Sequence, residues 1–225
     1  MSNPILPTPR KAWTFREPFN GISHLAGAAL SVAALIVLLV LAWGRPWATA
    51  AFTVYGVSLI VLYAASTLYH SLRVSSHVHH WLGRFDYIAI FLLIAGTYAP
   101  LCLVTLRHTV GWPLMFSEYG LALLGIAGVV FWKRMPNWPR IALYLIMGWL
   151  IVPVLPHLRA LMPAGALAWL IAGGVVYMIG VVIFAFDRPT LWPGRNIAHG
   201  LWHLFVLGGS ACHYILVLRY IALSA

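Results

Sequence analysis

Charge is scarce in this chain: 8% of its 225 residues are Asp, Glu, Lys or Arg, and four of those are acidic. A soluble domain carries roughly 25% charged residues, whereas here hydrophobic residues reach 62% and the mean hydropathy is +0.90. That balance excludes a solvated globule and marks an integral membrane protein. Cysteine is nearly missing as well. Cys102 and Cys212 both fall in apolar runs, so there is no disulfide framework and no Cys-x-x-Cys metal site, and the two thiols are read as small packing residues. Alternating segments of about 10 residues, the mark of a transmembrane barrel, do not occur. Internal repeats, low-complexity tracts, a strict Gly-x-x-x-Gly and loops long enough to hold a soluble domain are also absent, although the many Gly and Ala permit close helix packing. No small-residue cleavage site follows the first apolar run, which is too long for a secretory signal, so the first span is expected to stay in the mature protein.

What the chain does have is apolar runs of about 20 residues or more, enough to cross a hydrocarbon core of roughly 30 Å. They predict an all-α polytopic membrane protein, a seven-transmembrane helix bundle, with spans at 19–43, 47–72, 82–106, 112–132, 139–158, 165–186 and 197–222. Residues 1–18 read as a short basic tail that Pro4, Pro7 and Pro9 keep extended or disordered, and 19–225 as a single transmembrane domain. Pro100, Pro153 and Pro156 should bend the third and fifth spans.

The net charge of +10 invites a nucleic-acid reading, but its distribution argues for orientation instead. With the N-terminus cytoplasmic, the inner segments hold Arg10, Lys11, Arg16, Arg73, Arg84, Lys133, Arg134, Arg140, Arg188 and Arg195, and the outer ones hold Arg45, Arg107, Arg159 and Arg219. This is the positive-inside bias of a cell-membrane protein in contact with anionic headgroups, and an odd number of spans leaves the C-terminus outside.

That orientation sorts the intramembrane polar groups by depth. His70, with Ser66 one turn deeper, lies where the second span reaches the inner leaflet. Asp86 lies in the opening turns of the third span, and His199 and His203 in those of the seventh. At i and i+4 the last two share one helix face. Three His and a carboxylate at one depth match a catalytic zinc set, with three protein ligands, His70, His199 and His203, and a fourth position open for water. Asp86 then serves as the proton acceptor of that water, whose pKa zinc lowers toward about 7. Ser66, on the face of His70, suits a group that touches the water or orients Asp86, or one that bonds its own helix backbone. Asn20 and His24, four apart near the start of the first span, either surround the metal or tie the first helix to its neighbours. Sequence does not separate zinc from another divalent metal that imidazole suits. His213 lies ten residues past His203, roughly 15 Å deeper at 1.5 Å per residue, and is read as structural. The run His77-Val-His79-His80 is read as a solvated or headgroup-facing loop, His108 as a loop residue, and Glu118 and His157 as interfacial and exposed.

Ser66-Thr-Leu-Tyr-His70, Arg84-Phe-Asp86, Ala95-Gly-Thr-Tyr-Ala-Pro100, His199-Gly-Leu-Trp-His203 and Cys212-His213 occur in an order that resembles the hemolysin III branch of the progestin and adipoQ receptor family. The resemblance runs from about Glu17 to the C-terminus. It implies a seven-helix protein with an inward N-terminus and a zinc held near the cytoplasmic side by His70, His199 and His203, with Asp86 on the zinc-bound water and Ser66 close by. It also implies kinship with membrane hydrolases that include alkaline ceramidases, whose substrates are lipid amides. The long N-terminal region of the adiponectin receptors is missing, which speaks against binding such a hormone.

Three functions follow as expectations. The first is a zinc-dependent hydrolase acting on an amide or ester bond of a lipid, with membrane lipids as partners and no nucleic acid. The second is a lipid-binding receptor or regulator in which four protein ligands, Asp86 among them, close a structural zinc site. The third is a hemolysin-like pore. It ranks last because the polar groups gather at one depth and the outer halves of the spans are apolar.

Overall fold

In lipid the backbone has no water to bond to, so apolar runs of this length close their hydrogen bonds internally as helices. The computed structural model describes residues 16–132, 135–189 and 197–223. These form α1 (Pro18–Leu41), α2 (Pro46–Ser71), α3 (Ser76–Pro100), α4 (Gly111–Phe131), α5 (Asn137–Trp149), α6 (Leu155–Leu161), α7 (Ala164–Phe186) and α8 (Ile197–Val217). With α5 and α6 taken as one broken span, seven segments are long and apolar enough to cross a membrane. The expected tail falls mostly outside the described residues, as do Arg10, Lys11, Lys133, Arg134 and Arg195.

Local chemistry sets the boundaries. Pro18 and Pro46 open α1 and α2 at positions where a missing N–H costs nothing. The tight link between these helices uses Gly44 at φ +76, a conformation open to glycine. Past Pro100, α3 continues as a π-helical turn over Leu101–Thr105. The fifth span breaks where Pro153 and Pro156 remove donors, passing through a 3-10 turn at Val152–Val154 into α6. One boundary differs from expectation. α3 begins at Ser76 rather than near 82, so His77, His79 and His80 occupy its first turns instead of a loop. Ser75 caps that start, its hydroxyl accepting from the Val78 amide at 3.4 Å. Hydropathy registers burial in lipid and misses a polar helical turn that projects beyond it.

Neighbours pack in a ring: α1 on α2, α2 on α3, α3 on α4, α4 on α5, α5 on α7, α7 on α8, and α8 back on α1. The most apolar stretches of α2 and α3 are 56% and 61% buried against 11% for α7, so α2 and α3 form the interior wall. Tyr55, Tyr63, Phe52 and Phe91 are fully enclosed, while Leu30, Val40, Leu123 and Ile171 face outward, as a lipid-contacting surface requires. At the α1, α2 and α8 seam, a Cβ on Gly27 would lie 2.7 Å from Leu207 and 2.9 Å from Tyr63. Glycine there lets the three backbones close around the site described next.

Candidate metal centre

At the end of the bundle where α2 finishes, α1, α3 and α8 begin. The histidines lie at that end. His199 and His203 stand one turn apart on one face of α8, and the last turn of α2 brings His70 opposite them. The Nε2 atoms of His199 and His70 are 3.3 Å apart, those of His203 and His199 3.2 Å. All three residues offer ligand nitrogens within 4.8 Å of one another. Ligand nitrogens about 2.0–2.1 Å from a tetrahedral zinc are separated by roughly 3.3 Å, so the spacing fits one cation. His70 and His203 are each 2% exposed. Two close imidazoles can share a proton in one hydrogen bond, but three converging Nε2 atoms leave at least one lone pair or N–H unmet, whereas a cation satisfies three lone pairs at once.

The other ring nitrogen of His70 is fixed from α1. Its Nδ1 lies 2.7 Å from Glu17 Oε2, and the Asn20 amide donates to the same oxygen at 2.9 Å. Since a carboxylate accepts, Nδ1 carries the proton and the Nε2 lone pair points at the other histidines. The His70 hydrogen bond, assisted by Asn20 and by the charge of Arg16, holds the Glu17 carboxyl down at about 2 against the opposing effect of burial. Backbone bonds from Arg16 to the Ser71 carbonyl and from Glu17 to the His70 carbonyl fasten this segment onto the end of α2. Sequence reading passed over Glu17. The available signal was that one of only four acids directly precedes the first span.

His24 stacks on His203 with ring centroids 3.8 Å apart, and Tyr63 meets the other side of His24 edge-on at 5.0 Å. Asn20 and His24 therefore surround the cluster. Asp86 is buried, with the Ser66 hydroxyl against its carboxylate and the His70 ring and the Arg140 guanidinium nearby. Among the described residues the metal-capable group has three members, and Asp86 stands beside it rather than in it.

Other expectations sort cleanly. His213 sits apart, its Nε2 donating to the Leu170 carbonyl at 3.4 Å. Cys102 and Cys212 are free thiols. His108 and His157 are exposed. Glu118 corrects its interfacial reading, since it is 0% exposed and, among the described residues, neither carboxyl oxygen has a hydrogen-bond partner although the Tyr98 hydroxyl stands beside it. Depth placed it near a membrane surface, but α4 turns it toward α3, where the one Tyr98 hydroxyl proton goes to the Met147 carbonyl at 2.7 Å.

Comparison with known proteins matches residues 12–214 to a family described as haemolysin-III related. A hemolysin-3 of Bacillus cereus is 41% identical over 211 residues, covering 93% of each chain. A hemolysin-3 homolog of Bacillus subtilis is 36% identical over 92% of this chain and 96% of its own. The human monocyte to macrophage differentiation factor is 27% identical over 78% of this chain and 72% of its own.

Proposed function

The chain belongs to the haemolysin III branch of the progestin and adipoQ receptor family and is a multi-pass membrane protein, and from that premise we propose that it is a zinc-dependent hydrolase cleaving an amide or ester bond of a membrane lipid. One observation carries the reading: a buried carboxylate, Asp86, stands beside a group of three histidines without joining it. A structural site closes its fourth position with a protein ligand, whereas three ligands and an adjacent proton acceptor suit hydrolysis. The positive-inside bias supports placing this end at the cytoplasmic leaflet, where a lipid reaches it laterally.

His70, His199 and His203 would hold the ion. Bound there, zinc supplies Lewis acidity that polarises a substrate carbonyl and acidifies water. Glu17 keeps His70 in the Nδ1–H tautomer. Asp86 takes the proton of the attacking water on a carboxylate oxygen and returns it to the leaving amine or alkoxide. Ser66 orients Asp86 through its hydroxyl. His24, packed between Tyr63 and His203, fixes the plane of the His203 ring.

The test is metal content by elemental analysis of detergent-purified protein, with fatty-acid release from lipid amides and esters. Wild type should hold one equivalent of metal and turn over. Asp86→Asn should keep the metal and lose roughly 10²–10⁴-fold in rate, the range for a general base. Stoichiometric metal with no turnover of any lipid amide or ester would instead support the regulator reading.

A further inference from the structure

A second feature lies at the same end of the bundle. The close of α2, the first turns of α3, the end of α4 and the start of α5 enclose a cleft of about 540 Å³. Its wall carries Arg84 and Arg140 with His79 and His80, the His79 ring accepting from the Arg16 guanidinium, and among the described residues no carboxylate lines it. In a chain with four acidic residues, Glu17 is spent on His70 and Asp86 lies against Ser66. Two helix starts also open onto the cleft, α3 at Ser76 and α5 at Asn137. Neither has an acidic residue in its first turn, and α5 begins behind Pro136 with no side-chain cap. Unneutralised helix N-termini add their own positive field to that of the two arginines.

Arg140 makes the case specific. It is 7% exposed, its guanidinium lies 3.6 Å over the Tyr87 ring, and among the described residues its hydrogen-bond partner is the neutral Asn137 side chain. Asp86 is its nearby carboxylate but forms no ion pair with it among the described residues, so the buried guanidinium keeps N–H groups for a further anion, and its planar fork matches phosphate oxygens. Tyr69, Tyr87 and Trp132 supply the aromatic remainder of the lining, amphipathic groups suited to the junction between headgroup and chain.

We propose that this cleft binds the phosphate of an anionic lipid headgroup. The inference deepens the hydrolase reading by naming its substrate class as a phosphate-bearing lipid whose scissile bond is presented to Asp86. It rests on that reading for the word substrate alone, because binding is measured without turnover.

The experiment is equilibrium binding to the detergent-purified full chain of dihexanoyl phosphatidic acid, dihexanoyl phosphatidylcholine and inorganic phosphate. The acid should bind saturably and at least about tenfold more tightly than either comparator. Each of Arg84→Gln and Arg140→Gln should weaken it about tenfold, the equivalent of one charge-assisted bond. Arg84 is half-buried at the rim, over Trp81 at 5.0 Å, so Arg84→Gln gives the measurement even where the buried Arg140 variant fails to fold. Arg159→Gln, exposed at the opposite end, should bind as wild type does. Equal affinity for the two lipids, or an Arg84→Gln protein that binds the acid unchanged, overturns the proposal. Inorganic phosphate binding as tightly as the acid overturns its lipid part. Phosphatidic acid binding intact in a protein without hydrolase activity leaves this inference standing and removes the hydrolase. Turnover of neutral lipids with no preference for the acid does the reverse.

Discussion

Removing the Glu17 carboxylate should weaken the metal centre without touching a ligand. Glu17 Oε2 takes the Nδ1 proton of His70 at 2.7 Å, and that bond directs the other nitrogen toward His199. Hydrogen bonds to charged groups are worth about 1.5–3 kcal/mol. Glu17 is 38% exposed while His70 is 2%, so solvent screens one side and the lower end of that range applies. About 1.4 kcal/mol is a factor of ten in affinity, in line with the roughly 10–100-fold cost of losing a partner behind a metal ligand. Glu17→Ala should therefore bind zinc about tenfold more weakly. Glu17→Gln still presents an oxygen to Nδ1 and should lose about half that free energy, near threefold. The assay is competition with a chromogenic chelator on dialysed, detergent-purified protein. A Glu17→Ala affinity within twofold of wild type, or a Glu17→Gln affinity below that of Glu17→Ala, would refute the reasoning.

Three further outcomes are expected. His70→Ala, His199→Ala and His203→Ala should each purify with substoichiometric metal, while His213→Ala, bonded to Leu170 well away from the cluster, should retain a full equivalent by elemental analysis. Gly27→Ala sets a Cβ at 2.7 Å from Leu207 and 2.9 Å from Tyr63, so it should cost about 1–3 kcal/mol by denaturant titration, with weaker metal binding as Tyr63 releases His24. Glu118→Met replaces a buried carboxyl that has no hydrogen-bond partner among the described residues. Leaving such a group unpaired costs about 1–3 kcal/mol, so the variant should melt at or above the wild-type temperature, and a lower melting point would assign the carboxyl a partner.

The seven spans were legible because lipid imposes a length and an apolarity that composition reports directly. The meeting of His70, His199 and His203 was legible for a different reason. Lys and Arg assign a direction to each span independently of the histidines, and an assigned direction plus residue count gives an expected depth. Depth is one coordinate of three, and the misreadings follow from the other two. Glu118 was placed along the membrane normal by residue count, but rotation of α4 about its axis decides whether it meets lipid or α3. Glu17 was set aside with the polar tail, because nothing in local composition says that the chain before Pro18 folds back onto Ser71. The cleft at Arg140 was beyond sequence reading, since four separate helices contribute its walls.

The site draws on residue 17, residue 70 and the stretch from 199 to 203, which spans most of the polypeptide. During synthesis at a membrane, α1 and α2 insert early, yet only one of the three imidazoles exists until the closing helix has emerged. An ion held by these residues would thus be captured late in biogenesis, and it would lock the opening helices to the final one. A nascent or truncated product without α8 would be inserted, helical and unable to load.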